Sequence, residues 1–172
     1  HLSIRRQRQM CIRDSLRPGK STNLPEGEVF TCPYDVKEGL IVIDGILGDY
    51  FSATYGLLED TPVTWEVEDA RVSKISCADE RLRAELEEYM GQDDNSNRLG
   101  EFAIGTNTGV ESLVGNMLQD EKYPGVHVAV GEPIPEETGA DWTSVVHLDG
   151  VLKNVTIDVE GRLIMQDGRF TL

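Results

Sequence analysis

The run GVHVAVG, residues 125–131, places a valine at every second position, a period that suits a β-strand and not a helix. Val126, Val128 and Val130 therefore share one face, and His127 and Ala129 share the other. The valines call for a hydrophobic core, and His127 lies outside that stripe. A second run, SVVHLDG at 144–150, repeats the arrangement, with Val146 and Leu148 on one face and His147 and Asp149 on the other. A chain with two such strands has to build a sheet with one apolar face and one face that carries imidazoles and a carboxylate.

The rest of the chain supplies partners for that sheet. GLIVIDGI (39–46) is rich in β-branched residues between glycines and reads as a strand. Residues 63–67 and 70–76 alternate around Glu68 and Asp69 as a hairpin-like pair. DERLRAELEEYM (79–90) opens with acids and spaces Leu82, Leu86 and Met90 four apart, the clearest amphipathic helix of the chain. Residues 111–119 suggest a second, shorter helix, and 144–148, 155–159 and 163–165 are further strand-like runs. No repeat or heptad run interrupts the pattern. With 172 residues and 39% hydrophobic content there is material for one core. The expectation is an α+β, sheet-rich domain with one or two flanking helices.

One segment does not fit that frame. RRQRQMCIRD (5–14) sets four arginines ahead of an acidic chain. Reverse translation allows codons that resemble a transposase-based sequencing adapter from Arg5 to Asp14. Residues 1–14 are therefore read as an artefactual extension without function, and 15–172 as the natural part. Setting aside Arg5, Arg6, Arg8, Arg13 and Asp14 takes 16 basic and 31 acidic residues to 12 and 30, a net charge of −18. So acidic a chain is a poor partner for nucleic acid or an anionic membrane. No apolar run approaches the ~20 residues that span a bilayer, and there is no secretory leader, so a cytoplasmic protein is expected. Cys11, Cys32 and Cys77 form no CxxC pair and read as reduced thiols.

The chemistry is expected on the polar face of the sheet. An imidazole and a carboxylate two apart on a strand project side by side, as ligands of one metal or of two adjacent metals do. Taken alone, His147 and Asp149 leave open that the carboxylate merely orients the ring or begins the turn at Gly150. His127 strengthens the metal reading, because these two are the only histidines after residue 14. GEFAIGTNTG (100–109) is glycine-spaced but lacks the Lys-Ser/Thr and GxGxxG signatures of phosphate loops. The sequon at Asn154 is a chance match without a leader. HExxH and GxSxG are absent, and Cys32 has no histidine nearby in sequence and reads as packed, not nucleophilic.

NLPEGEVFTCP (23–33), RLGEFAIGTN (98–107), DEK (120–122), GVHVAVG, TGADWTSVVHLDG (138–150) and DGRF (167–170) occur in an order that resembles the thermophilic metallo-aminopeptidases of the aminopeptidase T and S type. The resemblance runs from about residue 17 to the end. It implies the C-terminal, metal-binding and catalytic part of a larger protein that is a homodimer when full length. It implies two divalent ions, zinc or cobalt with magnesium and manganese as alternatives. The ligands it implies are Glu28, Glu101, His127, His147 and Asp149, with Glu101 also the general base acting on peptides with a free N-terminus. One position departs from the pattern. Ile134 stands where the family places a tyrosine whose hydroxyl stabilises the tetrahedral intermediate. A catalytically impaired metal- or peptide-binding protein of the same fold is the alternative this implies.

Overall fold

The computed structural model describes residues 26–171. The basic stretch at 5–14, the boundary drawn after residue 14 and Cys11 lie outside the described residues. In chain order the described elements are β1 (Glu28–Thr31), β2 (Glu38–Ile43), α1 (Asp49–Tyr55), β3 (Val63–Glu68), β4 (Arg71–Ser76), α2 (Glu80–Tyr89), β5 (Leu99–Gly105), α3 (Met117–Asp120), β6 (Gly125–Gly131), α4 (Pro135–Thr138), β7 (His147–Leu152), β8 (Ile157–Val159), β9 (Arg162–Gln166) and β10 (Arg169–Phe170). The architecture is the α+β, sheet-rich one expected. Beside α1 and α2, the helices α3 and α4 are single turns.

Three antiparallel sheets make up the strand content. The principal sheet has the order β1-β5-β6-β7, the second β2-β3-β4 and the smallest β10-β9-β8. Central strand β6 is buried along its whole length. Val126, Val128 and Val130 enter one core with Leu148 of β7, with Ile43, Val63 and Trp65 of the second sheet, and with Leu82 and Leu86 of α2. This is the apolar face that the alternation calls for. The sheets meet so closely that Gly150 of β7 lies directly under the Ile43 side chain of β2.

Past Ile43 the chain leaves its sheet and runs along β7. Gly45 N donates to Val151 O at 3.0 Å, Val151 N to Ile46 O at 2.9 Å and Gly48 N to Asp149 O at 2.8 Å. The strand read from 39–46 therefore ends at Ile43, and the next residues cover the free edge of the principal sheet instead.

Helix α2 forms where its spacing places it. Asp79 is its N-cap and accepts from Arg81 N at 2.9 Å and Leu82 N at 3.0 Å. Arg81–Glu85 and Arg83–Glu87 pairs run along its exposed side. The second predicted helix, 111–119, is not continuous. Gly115 adopts a left-handed φ of +81°, and the buried Asp120 carboxylate accepts from Val114 N and Gly115 N. Only Met117–Asp120 closes a helical turn, capped by Asn116.

One further boundary shifts for a related reason. The strand read from 144–148 begins only at His147, because Ser144 N and Val145 N donate to the side chains of Glu132 and Asp93. The glycine-spaced 100–109 segment is not a loop but mostly strand β5. Among the described residues no helix is long and apolar enough to cross a membrane.

The contact under Gly150 generates a prediction. A Cβ built there would lie 2.4 Å from Ile43 Cδ1 and 2.7 Å from its Cγ1, and Ile43 is fully buried. Gly150→Ala is expected to cost about 1–3 kcal/mol in chemical denaturation, as overpacking of a dense core does. Adding Ile43→Val should recover part of that loss. An unchanged midpoint in the single variant would show that the two sheets can separate here.

Candidate metal centre

The polar face of the principal sheet is set by register. Glu101 of β5 is paired with Ala129 of β6, and Ala129 with Asp149 of β7. The next row is Ala103, His127 and Val151, and the row at the other end pairs Gly131 with His147. Small residues between the long polar ones let the carboxylates and imidazoles converge above the sheet. A bulge between Leu99 and Glu101 re-aims the strand at this point. Gly100 occupies the bulge, and a side chain there would strike the carbonyl oxygens of Gly131 and Glu132.

All five residues singled out in the sequence come together. His127 Nε2 lies 3.3 Å from Glu101 Oε1 and 3.4 Å from Glu28 Oε2. His147 Nε2 lies 3.8 Å from Glu101 Oε2 and 3.2 Å from Asp149 Oδ2. The Glu101 carboxylate thus stands between the two imidazoles with one oxygen toward each. Glu101, His127 and Asp149 are buried and can offer donor atoms within 4.8 Å of one another.

The ring orientations suit metal ligation. His147 Nδ1 is 2.8 Å from the Glu132 carbonyl oxygen. A carbonyl only accepts, so Nδ1 carries the hydrogen and the neutral ring presents a lone pair at Nε2. His127 Nε2 is buried and, despite the nearby carboxylates, has no hydrogen bond of acceptable direction. An orphaned buried imidazole nitrogen costs free energy unless something binds it. The donor set, imidazole nitrogens and carboxylate oxygens, fits a borderline divalent cation.

Burial and charge oppose each other here. Burial works against protonating His147, but the Asp149 carboxylate, the Glu132 carbonyl and Glu101 outweigh it and carry the pKa up to about 9. His127 follows the same balance: burial lowers its pKa, the Glu101, Asp149 and Glu28 carboxylates raise it, and the result is upward. Burial pushes the Asp149 carboxyl up, yet His147, His127 and Lys122 bring it below the usual value. Cys32 is buried and lies outside the cluster. Desolvation raises its thiol to about 11, which agrees with the packed, inert reading.

Two residues escaped the sequence reading. Lys122 is fully buried, and its Nζ lies 2.7 Å from Glu28 Oε1 and 2.5 Å from Glu121 Oε1. Glu121 forms a second possible ligand group with Glu28 and His127. Their only sequence signal is the charged triplet DEK just ahead of an apolar strand. Ile134, at the departing position, has a left-handed φ of 54° and begins α4 without a side-chain cap.

The model of the thermophilic metalloprotease family (M29) matches residues 17–170 of the chain. No curated protein matches it in sequence. Among solved structures, wild-type AmpT from Thermus thermophilus superposes with a TM-score of 0.67 at 20% identity, over 92% of this chain and 43% of that one. 2,5-Dihydroxypyridine dioxygenase from Pseudomonas putida KT2440 superposes with a TM-score of 0.64 at 21% identity, over 86% of this chain and 44% of that one. The chain thus spans less than half the length of either structure, and at such identities the likeness shows the fold.

The centre also depends on a clamp outside it. Asp93 accepts from Val145 N at 2.7 Å, Ser144 Oγ at 2.9 Å and Asn95 N at 2.7 Å. It ties the segment that leads to Glu101 to the segment that leads to His147. The Val145 hydrogen bond, with the Asn95, Ser144 and Ser96 donors behind it, outweighs an opposing desolvation and brings its carboxyl to about 2 from 3.8. A depressed carboxylate contributes stability that is complete above its unfolded value and is lost as pH falls through the folded one. Asp93→Asn is therefore expected to be less stable than the parent at neutral pH, with the gap closing between about 3.8 and 2. Denaturant midpoints across that window check this, and a gap that does not depend on pH would exclude the charged clamp.

Proposed function

The chain belongs to the thermophilic metalloprotease family M29, and on that premise we propose that it is a metal-dependent aminopeptidase whose catalytic, metal-binding part is residues 15–172. The observation that carries the reading is the Glu101 carboxylate set between His127 Nε2 and His147 Nε2, at 3.3 and 3.8 Å. In this reading Glu28, Glu101, His127, His147 and Asp149 hold two divalent ions, zinc or cobalt before magnesium or manganese. When bound, such ions acidify a water molecule and polarise a scissile carbonyl.

The chain's own residues would do the rest. Glu101 would take a proton from the attacking water and return it to the leaving amine, the work of a general base that becomes a general acid. The Glu132 carbonyl accepts from His147 Nδ1 and fixes the ring, which leaves Nε2, 3.2 Å from Asp149 Oδ2, free to ligate. The carboxylates around the centre also suit the ammonium of a peptide's free N-terminus, which would make the enzyme an exopeptidase. Cytoplasmic location and a homodimeric full-length state belong to the same proposal. The free thiols of Cys32 and Cys77 support the first, and the family resemblance supports the second.

A second reading rests on Ile134, which has no hydroxyl to donate to a developing oxyanion. Loss of one such donor costs roughly 2.7–4 kcal/mol where it acts. The protein would then bind metal or peptide with little or no turnover.

Hydrolysis of leucine amide with zinc or cobalt, before and after chelation, separates the two. The expected result is turnover that chelation abolishes and metal restores, and that falls by about 10²–10⁴-fold in Glu101→Ala. Bound metal without turnover, with activity appearing in Ile134→Tyr, would establish the second reading instead.

A further inference from the structure

Among the described residues Lys122 is the only lysine or arginine that is buried, and it is buried inside the cluster. Its position is set by the backbone on both sides: Lys122 N donates to Gln119 O at 3.0 Å, and Lys122 O accepts from Asn107 N at 3.0 Å. The ammonium therefore meets Glu28 Oε1 at 2.7 Å and Glu121 Oε1 at 2.5 Å from a fixed point. Glu28 is the member of the cluster most in need of such a hold. It lies on β1, an outer strand paired only with β5, and its side chain is 18% exposed against 7% for Glu101. With Oε1 taken by the ammonium, the other oxygen, Oε2, is the one turned to His127 Nε2.

We infer that Lys122 is a positioning residue for the metal centre: it clamps Glu28 so that one carboxylate oxygen faces His127, ready to ligate. The inference rests on the reading of Glu28 and His127 as metal ligands. A blander role would be to neutralise a charge-dense site, and the two roles have opposite signs. Removing an ammonium a few ångströms from a divalent ion strengthens cation binding if charge alone matters. Removing the group that orients a ligand weakens it, typically by about 10–100-fold.

The test is zinc affinity of the full chain, by competition with a chromophoric chelator, in the parent and in Lys122→Met, with the visible spectrum of the cobalt form. The expected result is an affinity about 10–100-fold weaker and an altered cobalt spectrum. Equal or tighter zinc binding would overturn the inference, as would a lower metal-free melting temperature with unchanged affinity, the signature of a merely structural role. If Lys122→Met does not fold, Lys122→Gln carries the same test, since its amide can still donate to one carboxylate; the loss should then be smaller and in the same direction. A parent that binds neither zinc nor cobalt would overturn the metal-centre reading and this inference together. A parent that binds metal with a Lys122 variant that binds equally well would overturn this inference alone.

Discussion

Carboxylates gathered on one buried sheet face set the terms for the rest of the structure. Glu101 and Asp149 are buried side by side above Ala129, with Glu28 and Glu121 beyond His127. Like charges at such separations repel strongly in a low dielectric, so the arrangement needs compensating cations. The protein supplies one itself, Lys122, and two imidazoles whose pKa values are raised by the same carboxylates. A divalent ion would discharge the remainder. Anything that binds the folded chain and not the unfolded one also stabilises it, so ion binding here would be linked to folding.

Such a face persists only if the strands beneath it cannot slip. A one-residue shift in β6 would send His127 into the core and a valine into the cluster. The register is pinned from several directions. The valine stripe interlocks with the second sheet, residues 45–48 hydrogen-bond along β7, and Asp93 joins the two segments that lead into β5 and β7. The hydrogen-bonded loops hold in place polar side chains that come from strands far apart in sequence.

This division explains which parts were legible in the sequence. His127, His147 and Asp149 could be read from residues alone, because a polar side chain that breaks a period-two apolar stripe declares its face. Glu28 and Glu101 could not: in a chain with 31 acidic residues a single glutamate has no local signature, and only the family resemblance singled them out. Glu121 and Lys122 were not assigned at all, since their partners are brought to them by the fold. The misread boundaries at 111–119 and 144–148 have one cause. Side-chain carboxylates took backbone N–H groups that a helix or a ladder would have used. For Val114 and Gly115 the competitor, Asp120, is only six and five residues on, but for Val145 it is Asp93, distant in the chain, which leaves no trace in a local window.

The fold itself does not select the chemistry, since a chain of a metalloprotease family shares it with a dioxygenase. What can separate metal binding from catalysis here is the loop after β6. Its backbone is committed to structure. The Glu132 carbonyl orients His147, while the Pro133 and Ile134 carbonyls accept from Thr138 Oγ1. The left-handed φ of Ile134 belongs to that path and is costly for a β-branched residue. The side chain at 134 carries none of these hydrogen bonds. A change from a hydroxyl-bearing to an aliphatic residue there leaves His147 held as before and removes only what the side chain could offer to a substrate. In the proposed reading, the ligand set would stay intact while turnover changed through this one position.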